Sequence, residues 1–240
     1  MKIGFRNILN IVLLLLFILF VLYIYSFNQS VKYVDFGDPD SKIKLCFIAG
    51  VHGNEPAASM LLEEMIKTDV FEKICKDKRI FIRILPSVNE FGLKFGIRYQ
   101  NSIINPDINR TFTNEGNDII SREIIELTKD STLIIDFHEG WGFHLIEKDS
   151  LGSTLTVTKG LAEEIGIHIV DRLNQKIYDQ EKKFVILDRI CDIESAFSCY
   201  SNRHEKNYIL VETSGQGDIQ PLSVRYEQIQ TIINTVLLSL

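Results

Sequence analysis

Two short polar clusters hold residue types that could do chemistry together. AGVHGNEPAA carries His52 and Glu55 three positions apart, and DFHEGWGFH carries His138, Glu139 and His144. Imidazole nitrogen and carboxylate oxygen suit a divalent ion such as zinc, and catalytic zinc sites commonly use three protein ligands plus water. At a loop turning into a helix, His52 and Glu55 can converge on one ion. Gly50 and Gly53 permit the sharp turn, and Pro56 suits a first helical turn. H-x-x-E alone is a weak signal, since a surface histidine and a helix-capping glutamate would produce it. The third ligand is expected from the second cluster. His138 ends the strand-like run TLIIDF, where a rigid scaffold would aim it; Glu139 and His144 compete, the latter farther along a glycine-containing loop. Asp136 is placed to orient a ligating imidazole. The set predicts one Zn2+ held by His52, Glu55 and His138. His168 and His204 lack such context and are expected to be structural or solvated.

Positioning these residues requires a scaffold. Apolar, β-branched runs recur at Val31–Phe36, Ile43–Ala49, Ile80–Leu85, Thr132–Phe137, Phe184–Leu187 and Tyr208–Val211. Their near-continuous hydrophobicity predicts strands buried on both faces. Helix-like stretches lie between and after them: Pro56–Lys73, Asp118–Lys129, Thr158–Gly166, Ile193–Arg203 and Leu222–Leu240. The alternation predicts an α/β fold, a mostly parallel mixed sheet flanked by helices. In such sheets ligands sit beyond the carboxyl ends of the strands. The polar residues at those ends are His52 and Glu55, Ser87 and Asn89, His138 and Glu139, and Glu212.

Composition is that of a globular chain, with 45% apolar and 24% charged residues and a net charge of -6. The absence of a basic stripe argues against a nucleic-acid partner. Ile8 to Tyr25 is apolar except for Asn10, about 27 Å as a helix. Lys2 and Arg6 precede it and no charge follows until Lys32. The expectation is residues 1–30 as an uncleaved membrane anchor and linker, and residues 31–240 as one hydrolase-sized domain. The N-terminus would be cytoplasmic and the domain exocytoplasmic. Of four cysteines, Cys46 sits in an apolar strand-like run. Cys191 and Cys199 are close enough to pair in an oxidising space, but free thiols are the expected state.

The ordered motifs AGVHGNEP, PSVNEFGLKFGIRYQNSIINPDINRTF, DFHEG and LVETSG resemble the zinc carboxypeptidase superfamily, from about Lys42 onward. That superfamily includes metallocarboxypeptidases, murein-peptide amidases and the succinylglutamate desuccinylase/aspartoacylase group. The resemblance implies a zinc carboxypeptidase-like fold with His52, Glu55 and His138 as metal ligands. It implies that Asn109 and Arg110 grip a substrate's free carboxylate, a task suited to a planar guanidinium. It also implies that Arg98 polarises the scissile carbonyl and that Glu212 is the general base. The family's Asn-Pro-x-Gly appears here as Asn89-Glu90-Phe91-Gly92, and YQNSIINP between Arg98 and Asp107 matches no substrate class. Glu139, Trp141 and Phe143 would surround the pocket.

The expected function is a zinc-dependent hydrolase cutting an amide bond beside a free carboxylate, of carboxypeptidase or peptide-amidase type. Its substrate would be a small peptide or an N-acyl amino acid. Only 28 residues follow Glu212, which favours that branch over the aspartoacylase type with its further domain. A succinylglutamate desuccinylase/aspartoacylase-type deacylase is the alternative. A non-catalytic binder of carboxylate-bearing peptides is the lesser one.

Overall fold

The computed structural model describes residues 5–27, 30–102 and 104–240. The chain divides into two units, one ending at Ser30 and one running from Val31 to Leu240. The first holds helix α1 (Phe5–Phe27), apolar around its whole circumference. Among the described residues no helix is long and apolar enough to cross a membrane. The expected transmembrane span Ile8–Tyr25 is thus not found among the described residues; Lys2 and the Arg6 and Tyr25 side chains lie outside them.

The second unit is built on a seven-stranded sheet. Its strands are β1 (Val34–Phe36), β2 (Lys44–Ala49), β3 (Phe81–Leu85), β4 (Leu133–Gly140), β5 (Thr154–Val157), β6 (Val185–Leu187) and β7 (Tyr208–Ser214), in the order β1-β3-β2-β4-β7-β5-β6. The central run β3-β2-β4-β7 is parallel, whereas β1 pairs antiparallel with β3 and β5 antiparallel with β7. Both faces are covered, as the continuous apolar runs required. Leu45, Phe47 and Ala49 of β2 enter one core, and Cys46 and Ile48 enter the other. This is the two-residue period of a strand packed on both sides.

The flanking helices are α2 (Ala57–Ile66), α3 (Val70–Lys78), α4 (Glu90–Phe95), α5 (Ile119–Thr128), α6 (Leu161–Asn174), α7 (Phe197–Arg203) and α8 (Leu222–Ser239). Ile229, Ile232, Ile233 and Val236 bury one stripe of α8 in the first core. The expected helix Pro56–Lys73 is two helices, because the chain breaks at residues 67–69 before α3 starts. The expected Thr158–Gly166 begins later, after Gly160 at φ +85°, and continues through Gly166 to Asn174. Strand β5 and helix α4 were not expected. Thr154–Val157 is too short and too polar to stand out as a strand, yet its first three residues are buried. Cys191 and Cys199 form a disulfide, correcting the expectation of free thiols there, while Cys46 and Cys75 are free and buried.

Candidate metal centre and active site

The parallel strands deliver the site to one sheet edge. After β2 the chain turns through Gly50 at φ +69°, passes His52 and Glu55, and starts α2 at Ala57. A Cβ on Gly53 would lie 1.8 Å from the Gly92 carbonyl carbon, so this turn packs directly on α4. Asn89 caps α4 by accepting from the Gly92 N–H at 2.8 Å. Its amide donates to the Arg98 carbonyl at 3.3 Å, which fixes the loop carrying Arg98. In β4 and β7, His138 and Glu212 stand opposite one another in register.

His52, Glu55 and His138 converge, with one ligand atom from each lying within 4.8 Å of the others, all buried. His138 Nδ1 lies 3.1 Å from His52 Nδ1 and 2.8 Å from Glu55 Oε2, and His52 Nδ1 lies 2.9 Å from Glu55 Oε1. The rings meet edge to face at 4.8 Å. Each ring has a carboxylate behind it: Asp107 Oδ1 is 3.2 Å from His52 Nε2, and Asp136 Oδ1 is 3.4 Å from His138 Nε2. The second pair is within ion-pair range but misaligned for a hydrogen bond, leaving both buried atoms unsatisfied. Carboxylates at Nε2 favour the proton there and turn both Nδ1 lone pairs toward the same point as the Glu55 carboxylate. Three donors aimed at one point need a positive charge between them, and this set suits a divalent metal with nitrogen and oxygen affinity.

The electrostatics agree. Burial alone would raise the Glu55 carboxyl, but His52 and His138 outweigh it and hold it below the usual carboxylate range. Burial alone would lower His138, but Asp136 and Glu55 outweigh that and raise it well above the usual imidazole range. Asp107 is drawn down by His52 and by Arg98, whose Nε donates to Oδ2 at 3.0 Å, against the upward pull of burial. Glu212 is pushed up to about 8, chiefly by burial, with Glu55 and Asp136 adding to it.

A cavity of about 530 Å³ opens on this edge, lined by His52, Glu55, Arg98, Asn109, Arg110 and Glu212. Six of the seven expected site residues therefore share one cavity, and His138 completes the buried cluster. The Asn109 side chain accepts from the Phe197 N–H at 2.9 Å, tying the site to the start of α7. Trp141 also lines the cavity, but Phe143 is buried away from it. His144 is held by the Ser150 carbonyl at 2.9 Å and Glu139 by other partners, so neither competitor joins the cluster. Ser87 bonds Ser59 and Glu63 instead of the site. His168 and His204 are exposed, the latter against Tyr200. Sequence reasoning missed Asp107 and Gln216. Gln216 Nε2 donates to Glu55 Oε1 at 3.0 Å and to the Glu139 carbonyl at 2.7 Å. Asp107, two residues before Asn-Arg and capping the turn 108–110, carried a signal that went unused.

This is the layout of an α/β protein with a metal-type cluster at the carboxyl ends of its parallel strands, His138 lying within the last residues of β4. Comparison with known proteins gives a partial family match and a shared fold. Residues 41–141 match the family model of the succinylglutamate desuccinylase/aspartoacylase catalytic domain. Among solved structures, the chain is similar to tripeptide-bound cell shape determinant Csd4 from Helicobacter pylori, with TM-score 0.67 and 14% identity over 87% of this chain and 55% of that one. The mDAP-bound form of Csd4, described as a D,L-carboxypeptidase, gives TM-score 0.67 and 15% identity over 85% and 53%. A metallo-carboxypeptidase from Burkholderia cenocepacia gives TM-score 0.63 and 12% identity over 87% and 60%. The chain thus spans about half the length of the Csd4 chains. No curated protein matches it. The chain shares its fold with these carboxypeptidases, and residues 41–141 are similar to the succinylglutamate desuccinylase/aspartoacylase catalytic domain.

Proposed function

We propose that this protein is a zinc-dependent hydrolase cutting an amide bond beside a free carboxylate, of carboxypeptidase or peptide-amidase type. The observation that carries the reading is the convergence of the His52 and His138 Nδ1 atoms with the Glu55 carboxylate, each ring backed by an aspartate. A zinc ion held by these three residues would supply Lewis acidity and acidify a water molecule. Glu212, on the cavity wall, takes the proton from the attacking water and hands it to the leaving amine. Arg98, held by Asp107, faces the developing oxyanion, and Asn109 and Arg110 hold the free carboxylate. The tripeptide-bound state of Csd4 supports a peptide substrate. The match at residues 41–141 favours one second reading, an N-acyl amino acid deacylase.

We further propose that the chain is held at a membrane by its N-terminal segment with α1, N-terminus cytoplasmic and catalytic unit exocytoplasmic. Its large apolar side chains from Ile8 to Tyr23 are 45% to 63% exposed on every side of the helix, an arrangement suited to lipid rather than water. The disulfide suits an oxidising space. Alkaline extraction of membranes tests this: the full chain should stay in the pellet, and release into the supernatant would refute the anchor.

The chemical reading is tested by metal analysis and by mass spectrometry of products from peptides, muropeptides and N-acyl amino acids. Release of a C-terminal amino acid supports the carboxypeptidase reading, and release of a free acyl acid supports the deacylase. Stoichiometric zinc without turnover on any amide, and no effect of Glu212→Gln, would leave only a carboxylate-peptide binder.

A further inference from the structure

Glu139 follows the ligand His138, yet its side chain turns away from the cluster and is 1% exposed. Its Oε1 accepts from the Ala57 N–H at 2.6 Å, at the first residue of α2 and two residues beyond Glu55. Its Oε2 accepts from Arg225 on α8 at 2.5 Å, and Arg225 is itself 4% exposed. The backbone of Glu139 meets Glu55 as well. Its N–H donates to Glu55 Oε2 at 3.1 Å, and its carbonyl accepts from Gln216, which also holds Glu55 Oε1. Glu139 thus joins the end of β4, the start of α2 and the closing helix around one carboxylate.

The surroundings are shaped to this pair. A Cβ on Gly215 would lie 1.4 Å from Glu139 Oε2 and 2.9 Å from Arg225 NH1, so the backbone passes where only glycine fits. Desolvating an ion pair is costly enough that an apolar pair of similar volume is often as stable. Stability alone therefore gives a weak reason for a buried pair here, whereas geometry beside a ligand gives a strong one.

We infer that Arg225 is a positioning residue for Glu55, acting through Glu139: it holds the carboxylate that anchors the start of α2 and the backbone N–H gripping Glu55. The inference rests on the metal reading above. Its test is zinc affinity, measured by competition with a chromophoric chelator on protein shown to be folded by circular dichroism. Partners outside the ligand set typically alter metal affinity by about 10- to 100-fold, and Arg225→Met should weaken zinc binding by that much. Gly215→Ala displaces the Glu139 carboxylate directly and should do the same, which keeps the test open if Arg225→Met does not fold. Val236→Ala loosens the buried face of α8 without touching Glu139 and should leave zinc affinity unchanged. Folded Arg225→Met or Gly215→Ala protein with wild-type affinity would overturn the inference. So would an equal loss in Val236→Ala, which would mark generic loosening of the helix. Failure of the wild type to bind zinc would instead sink the metal reading itself.

Discussion

Replacing Glu212 with glutamine in metal-free protein should stabilise the fold at alkaline pH and leave it nearly unchanged in mild acid. Glu212 is pushed from its ordinary 4.5 up to about 8 by burial and by the negative charge of Glu55 and Asp136. A carboxyl whose folded value is raised contributes fully below its unfolded value, and that contribution is lost as pH rises through the folded value. The window is therefore about pH 4.5 to 8. At about 1.4 kcal/mol per pH unit, the full difference is about 5 kcal/mol. The side chain opens onto the cavity and its residue is 9% exposed, so water screens part of that and about 3 kcal/mol is the expected size. The assay is urea unfolding of chelator-treated wild type and Glu212→Gln from pH 5 to 9. The two should nearly coincide at pH 5, and the wild type should fall behind by about 3 kcal/mol at pH 9. Because Glu212 interacts with His138, the difference between variant and wild type reports Glu212 together with that coupling. Parallel curves across the range would refute the claim that Glu212 is strained when ionised.

Asp107→Ala should weaken zinc binding by about 10- to 100-fold, read by chelator competition, because His52 loses the carboxylate at its Nε2. Gly53→Ala should cost about 2 kcal/mol or more in urea unfolding, since the added methyl overlaps the Gly92 backbone and the turn must move. The Cys191–Cys199 bridge closes a separation of 8 residues, so the double serine variant should lose about 2 kcal/mol in chemical denaturation. Dithiothreitol should produce the same loss in the wild type and none in that variant.

What could be read from sequence follows a physical dividing line. His52, Glu55, His138 and Glu212 were legible because each lies at or just after a long apolar strand, and strand ends in such sheets define a place in space. Asp107 carried only the signal of its place before Asn-Arg, and its role, meeting His52 across 55 positions from a loop without periodicity, was not legible. Arg225 was masked by the apolar stripe of α8, which reads as a helix packing on a core and says nothing of one buried guanidinium. The expected long helix Pro56–Lys73 breaks at residues 67–69, and Asp69 precedes α3 without a side-chain capping bond to mark the start. Strand β5 stayed hidden for another reason: four residues with two threonines carry too little hydrophobic contrast, and β7 and β6 supply the pairing that makes it a strand.

The charge balance of the site ties the metal to the catalytic base. Glu55, Asp107, Asp136, Glu139 and Glu212 surround the cluster, against the guanidiniums of Arg98 and Arg225. With Arg110, which lines the same cavity and acts on Asp107, five negative charges less three positive leave -2 in a largely buried volume. Without a metal, protons must make up that deficit, which is the direction in which His138 and Glu212 are both displaced. A divalent cation would balance it and remove the need for a proton on His138. It would also lower the cost of ionising Glu212, so the ion that needs these ligands is the ion that frees the carboxylate to accept a proton.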